Sequence, residues 1–168
     1  MDTEEQLLYN VSLQLYAGEY YKQGQKLTIP NRRVVKLGLW LAKFGTPTGD
    51  VTFGIETLLE AMIVSKVLGN ASALTTDATY YEVTFDTPVV VNEEVYLYAS
   101  FNHGQAIHHV KLFHQTSDVK ADECYSRYKN SWVDVATYDG AYIYTYGEEP
   151  PAHKSANMGA KMMARGLM

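Results

Sequence analysis

The sequence has one cysteine, Cys124, among its 168 residues. A single cysteine excludes an intrachain disulfide and a cysteine-based metal cage, so Cys124 is expected to be a small residue packed in a strand. No apolar run approaches the roughly 18 residues that a membrane-spanning helix needs. The first ten residues, MDTEEQLLYN, are acidic and lack the apolar region of a secretory signal. These absences predict a soluble chain made in the cytoplasm and no membrane partner.

Basic charge is also scarce. The chain has 14 Lys and Arg against 19 Asp and Glu, a formal net charge of -5. A general nucleic-acid binder needs a basic face that displaces counterions, so this class is excluded. The sequence also lacks a nucleophile elbow, a P-loop and a dinucleotide fingerprint. Its adjacent acids, Glu93-Glu94 and Glu148-Glu149, fall in predicted exposed turns instead of facing a cleft. We therefore expect a protein that is not an enzyme.

Tyrosine is abundant, with 14 copies against 5 Phe and 2 Trp. Its ring packs while its hydroxyl stays hydrated, which suits strands and contact surfaces. Period-two alternation of apolar side chains predicts about eight to ten short antiparallel strands. The predicted strands are 7–16, 25–29, 35–41, 51–55, 81–85, 95–101, 110–112, 124–129, 132–138 and 141–146. The spacing in 57–68 (TLLEAMIVSKVL) also fits a helix, so a strand, a short helix and an irregular crossover are all compatible with this segment.

Domain organisation follows from these patterns. We expect an N-terminal arm over 1–8, one β-sandwich over 9–147 and an extended C-terminal arm over 148–168. Pro150-Pro151 ends the last strand, and the C-terminal arm carries four of the six Met with a weak helical stripe. Such a segment is mobile by itself and is stabilised most simply by a neighbouring molecule. The arm residues predicted to serve assembly are Met158, Met162, Met163 and Arg165.

Three blocks of the sequence resemble a known family. They are VVKLGLWLAKFGTPTGDVTFGI (34–55), YYEVTFDTPVVVNEEVYLYAS (80–100) and NSWVDVATYDGAYIYTYG (130–147). In order and spacing they resemble the jelly-roll domains similar to carbohydrate-binding modules, which occur in bacterial surface proteins and in phage and virus particles. The resemblance implies an all-β jelly-roll sandwich used for attachment to glycans or to other subunits, and it carries over no catalytic residue. Fold alone does not decide between these uses.

Aromatic side chains on predicted outer strand faces are the candidate contact residues. Each lies opposite the apolar residues of its own strand, where it could stack on a sugar, contact another subunit or simply pack on the surface. The candidates for glycan or subunit contact are Trp40, Tyr96, Tyr98, Tyr142, Tyr144 and Tyr146.

Histidine and aspartate are the candidate metal ligands of the sequence. Four histidines, His103, His108, His109 and His114, cluster in FNHGQAIHHVKLFHQ. His108 and His114 share a strand face but lie roughly 20 Å apart along an extended chain, so a zinc site is not expected. An alternative role for these histidines is to modulate assembly when several of them are protonated at low pH. The predicted turn aspartates, Asp50, Asp86 and Asp139, are expected to cap turns, with structural calcium as the lesser alternative. No other cofactor is expected.

The sequence therefore supports two non-enzymatic hypotheses. The first is a structural or decorating subunit of a virus or phage particle (capsid, turret or tail), made in the host cytoplasm and located in the virion. It would contact copies of itself or other particle subunits through its sandwich faces and terminal arms. The alternative is a lectin-like carbohydrate-binding module for surface attachment, with Trp40 as its named residue.

Overall fold

The computed structural model describes residues 1–147, which contain eleven strands, one short 3-10 turn at Ala71–Ala73 and no α-helix. The strands are β1 (Asp2–Gln6), β2 (Val11–Leu15), β3 (Lys22–Phe44), β4 (Asp50–Thr57), β5 (Met62–Asn70), β6 (Thr79–Ser100), β7 (His109–Gln115), β8 (Cys124–Tyr128), β9 (Trp132–Val135), β10 (Asp139–Gly140) and β11 (Tyr142–Gly147). Every pair of neighbouring strands is antiparallel. The prediction of an all-β antiparallel fold is confirmed.

Two strands, β3 and β6, are much longer than the others, at 23 and 22 residues. The sequence predicted separate strands over 25–29 and 35–41, whereas β3 runs through both. Its pairing with β6 shifts register between Ile29 and Arg32 and again between Val34 and Lys36. Such bulges bend a strand without ending it, so one long ribbon serves two groups of partners.

The strands fall into two groups that share this ribbon. Half-sheet A contains, in order, β5, β4, the second part of β6, the first part of β3, β8 and β9. Half-sheet B contains β1, β11, the second part of β3 and the first part of β6, with β7 along the end of β3 and with β2 and β10 along β7. Every other side chain of each strand points to the shared interior.

One hydrophobic core lies between the two half-sheets. Phe53 and Ile55 of half-sheet A belong to the same buried cluster as Leu37, Leu39 and Leu112 of half-sheet B. Each fully buried side chain of this size stabilises the fold by about 1.5–3 kcal/mol relative to an exposed one. An antiparallel fold with one such core is consistent with a β-sandwich.

The ambiguous segment over 57–68 is a hairpin, so the helical alternative is wrong. β4 ends at Thr57, whose Oγ1 accepts hydrogen bonds from the backbone N–H groups of Leu59 and Ala61, both at 3.2 Å. Glu60 has a φ of 63°, a left-handed conformation that reverses the chain. β5 then pairs back along β4 from Met62.

Candidate binding surfaces

The tyrosines of β11 face the interior, which corrects the predicted orientation of this strand. Tyr142 pairs with Leu39 and Tyr144 with Leu37, and both tyrosine side chains are 0% exposed. Ile143, predicted to be the inward residue, is instead partly exposed. Tyr146, at the end of the strand, is half-buried against the core. The buried rings of Tyr142 and Tyr144 therefore offer no surface to a sugar or another subunit.

Charged partners explain why these tyrosines can be buried. The Tyr142 hydroxyl donates to Glu123 at 2.7 Å and accepts from Lys120 at 3.0 Å. The Tyr144 hydroxyl accepts from Arg32 at 2.5 Å. Burial raises the pKa of Tyr144 to about 12 and raises the pKa of Tyr142 as well. Both tyrosines are therefore neutral core residues with satisfied hydroxyl groups.

Tyr96 and Tyr98 lie on the outer face of half-sheet A, yet both are buried. Trp132 of β9 reaches across the face, and its ring stacks on Tyr96 with centroids 4.1 Å apart and planes 12° apart. The ring of Tyr98 lies over Gly54, where an added Cβ atom would collide with it. The two tyrosines thus belong to an aromatic cluster that is covered by Trp132. The sequence analysis does not identify Trp132 as a contact of these tyrosines.

The same cluster holds a buried carboxylate. Glu56 accepts from Trp132 Nε1 at 2.5 Å and pairs with Lys22, with Nζ 2.7 Å from Oε2. Lys22 Nζ also lies 4.3 Å from the Tyr128 ring centroid. Removing one partner of a buried ion pair leaves an uncompensated charge, so this arrangement holds β3, β4 and β9 together. Its groups are already paired with one another, which makes it a structural contact.

Trp40 lies on the outer face of half-sheet B within a second, more open aromatic group. Its ring centroid is 4.9 Å from that of Tyr80 and 6.0 Å from that of Tyr9, and Tyr9 in turn contacts Phe113 at 5.4 Å. We call these four residues, Tyr9, Trp40, Tyr80 and Phe113, the Trp40 patch. Each of their side chains retains exposed surface. Tyr80 covers Gly38, because a Cβ atom there would meet its ring.

The rim of the Trp40 patch is polar. The Tyr80 hydroxyl donates to Glu82 at 2.9 Å, and Glu82 also pairs with Lys36 at 2.8 Å. Burial, followed by this hydrogen bond, raises the pKa of Tyr80, so its hydroxyl stays protonated near neutral pH. A carboxylate, an ammonium group and aromatic rings are therefore presented side by side on one outer face.

β5 forms an edge of half-sheet A, since within residues 1–147 it pairs with β4 alone. Apolar side chains are exposed along it: Met62 is 66% exposed and Val67 is 50% exposed. At the hairpin tip Leu59 is 91% exposed. Lysines commonly protect such edges, but Lys66 is engaged by Asp86, 2.5 Å away. The edge exposes apolar side chains, and its pairing with β4 shifts register twice, which marks a bulge near each end of β5.

The histidines do not converge. His109 and His114 are buried in β7, whereas His103 is exposed. His108 accepts from the backbone N–H of Thr46 at 3.0 Å. Among the residues that the structure describes, no group of three or more His, Cys, Asp or Glu side chains is placed to hold a metal ion.

The three aspartates differ in their surroundings. Asp139 is buried in β10, where it accepts from Gln25 at 2.9 Å and from the backbone N–H groups of Val119 and Lys120 at 2.6 and 2.9 Å. The sequence predicts that Asp139 lies in a turn and caps that turn. It lies instead in a strand and caps a neighbouring turn. Asp86 lies in β6 and Asp50 begins β4, so neither lies in a turn.

Comparison with known proteins adds no relative. No family model, no curated protein and no solved structure matches the chain. Within residues 1–147, no helix has the length and apolar character needed to cross a membrane. The predicted assembly residues Met158, Met162, Met163 and Arg165 lie outside the described residues, so their role stays a prediction.

Proposed function

We propose that this protein is a non-enzymatic structural or decorating subunit of a virus or phage particle. Its β-sandwich would be a jelly roll, as the resemblance of 34–55, 80–100 and 130–147 implies. The observation that supports assembly is the apolar edge of β5, with Met62, Val67 and the Leu59 tip exposed. Edges of monomeric proteins are usually protected by charge, proline or bulges; β5 has two bulges, but it contains no proline and its one lysine, Lys66, is paired with Asp86.

An edge strand offers a simple means of assembly. Its outward N–H and C=O groups can pair with another strand, and alternate side chains supply specificity. The β5 edges of two copies can pair antiparallel about a two-fold axis, because the same surface then meets itself. In that pairing Val67 and Met62 would be removed from water. A second copy of this chain is therefore the first partner proposed.

The test is the oligomeric state of the full chain over a range of concentrations, measured by light scattering after size exclusion. We expect the unaltered protein to self-associate, and a lysine at the edge, Val67→Lys or Met62→Lys, to weaken association at least about tenfold, since an unpaired charge would be buried. Val90→Lys is the matched control, because Val90 is similarly exposed but lies in β6. A protein that stays monomeric at its highest soluble concentration would contradict assembly through β5.

A lectin-like attachment module is the second candidate, and the Trp40 patch favours it. The C–H face of a sugar ring is apolar and slightly positive, so it packs on the negative face of an aromatic ring. The neighbouring Glu82 and Lys36 are suited to bind sugar hydroxyls.

Glycan binding can be tested on an array of oligosaccharides. We expect Trp40→Ala to reduce the strongest signal at least about tenfold, the equivalent of 1.4 kcal/mol, whereas Trp40→Phe should retain much of it. Tyr21→Ala serves as the control, because Tyr21 contacts Tyr128 beside half-sheet A and lies off the patch. Binding that survives Trp40→Ala unchanged would rule out this surface.

A further inference from the structure

A small cavity opens at one end of the fold, where β2 and the 16–20 turn face β3 and β8. Its volume is about 150 Å³. The residues that line it are Leu13, Gln14, Tyr16, Glu19, Tyr20, Gln23 and Arg127. It is distinct from the β5 edge and from the Trp40 patch, so what it binds does not depend on either proposal.

Arg127 gives the cavity an uncompensated positive charge. Within residues 1–147 its guanidinium forms no ion pair. Its Nε atom is buried and has no hydrogen-bond acceptor among the same residues. The guanidinium carbon lies 4.4 Å from the Tyr20 ring centroid, a cation–π contact that holds the group in place but accepts no hydrogen bond. Because Nε is enclosed by the protein, a ligand in the cavity would meet the two Nη groups of Arg127.

The cavity wall beside Arg127 is fixed. The Gln23 Nε2 group donates to the carbonyl oxygens of Gln14 at 2.6 Å and Tyr20 at 2.9 Å, and its Oε1 accepts from the Tyr125 hydroxyl. The Gln23 amide is therefore satisfied by these partners, and its oxygen does not need a hydrogen bond from Arg127. The backbone of Tyr20 is tied to the wall that carries Arg127, which preorganises the cavity.

A carboxylate of the chain also lines the cavity but does not neutralise it. The Glu19 side chain is 45% exposed, and its Oε2 lies 3.5 Å from Lys129 Nζ, which offsets its charge. Its position beside the opening would repel an anionic ligand weakly, and this repulsion provides a test.

We propose that this cavity binds a small organic carboxylate. The guanidinium of Arg127 matches the planar carboxylate and can donate two parallel hydrogen bonds to it. The rings of Tyr16 and Tyr20 would flank the body of the ligand. The volume is below the roughly 300–1,000 Å³ of sites for drug-sized molecules, which limits the ligand to about the size of one sugar acid.

Sodium glucuronate is the probe for an NMR titration of the full chain, with glucose as the uncharged control and inorganic phosphate as a second anion. We expect saturable shifts around Tyr20 and Arg127 with glucuronate and none with glucose. Arg127→Gln should weaken binding at least about tenfold. Arg127→Lys should also weaken it, because lysine lacks the planar pair of N–H donors that binds both carboxylate oxygens. Absent or non-saturable shifts, or equal binding of glucose, would overturn the proposal. Phosphate binding tighter than glucuronate would show a general oxyanion site and overturn the assignment to a carboxylate.

A second variant keeps the test informative if Arg127→Gln does not fold. Glu19→Gln changes an exposed side chain and removes the nearby negative charge. It should therefore strengthen glucuronate binding about two- to fivefold, the range of exposed charge pairs. Unchanged or weaker binding by Glu19→Gln would contradict the placement of the carboxylate in this cavity.

Discussion

Replacing Tyr142 by alanine is expected to lower the free energy of unfolding by about 3–5 kcal/mol, the usual cost of deleting a buried aromatic ring. The ring is fully buried between the half-sheets, and its hydroxyl is bonded to Glu123 and Lys120. Alanine would leave a cavity and two charged groups without this partner. Equilibrium unfolding in urea measures the loss, provided that its denaturant dependence is unchanged.

Two further variants of β11 make the result specific. Tyr142→Phe keeps the ring and should cost about 1.5–3 kcal/mol, the range for a hydrogen bond to a charged group. Tyr146→Ala is the matched control, since Tyr146 is half-buried on the same strand, and its cost should be about 1 kcal/mol. If Tyr142→Ala cost no more than Tyr146→Ala, Tyr142 would behave as a surface residue, as the sequence had predicted.

Tyrosine shows why the sequence could identify β11 but not its orientation. Period-two alternation correctly placed Val51, Phe53 and Ile55 in the core, because Thr52 between them is clearly polar. In the run Tyr-Ile-Tyr-Thr-Tyr of β11, both sets of residues can be buried. The partners that decide between them, Arg32 and Lys120, are far away in sequence.

The sequence pattern predicts two strands where the structure has the single strand β3, and the reason is related. Pro30-Asn31 resembles a turn, and Asn31 has a φ of 46°, yet the chain continues extended after it. The bulges also shift the phase of alternation. Val34 is fully buried, while Val35, which period-two alternation with Leu37 and Leu39 would place inward, is only partly buried. A bulge depends on the partner strand, so it leaves little trace in the local pattern.

Neither the cavity lined by Arg127 nor the aromatic cluster around Trp132 could be predicted from the sequence. Trp132 stacks on Tyr96 across two intervening strands of half-sheet A, and this contact requires the strand order to be known. Arg127 is distinctive only because it forms no ion pair with the part of the chain that the structure describes, which is a property of the folded chain. Trp40, in contrast, could be placed on an outer face from alternation with Leu39 and Leu41, both of which are buried.

Acidification is expected to destabilise the protein strongly through His114. This side chain is 1% exposed and stacks on Tyr125 and Tyr138 with centroids 4.4 and 5.3 Å away. Its buried Nδ1 has no hydrogen-bond partner within residues 1–147. Burial, with a smaller contribution from the charge of Arg127, lowers the pKa of His114 to about 4. The imidazole is therefore neutral in the folded protein at pH values well above 4.

The lowered pKa fixes the sign and the pH range of the effect. Above pH 6.5, the ordinary value, His114 is neutral in both the folded and the unfolded chain, and its ionisation does not affect stability. As the pH falls from 6.5 towards 4, the unfolded chain binds a proton that the folded chain does not, so unfolding becomes more favourable. The loss of stability from this residue should reach about 3 kcal/mol near pH 4 and then level off.

His114→Phe isolates this contribution, because phenylalanine preserves the aromatic stack and does not titrate. Urea unfolding at pH 7 and pH 4 should show a loss of stability about 3 kcal/mol smaller in His114→Phe than in the unaltered protein. Burial also lowers the pKa of His109, but His109 is present in both proteins, so its effect cancels in the comparison. His103→Gln, which removes an exposed imidazole, should lose as much stability as the unaltered protein. Equal losses in His114→Phe and the unaltered protein would mean that acid sensitivity comes from other groups.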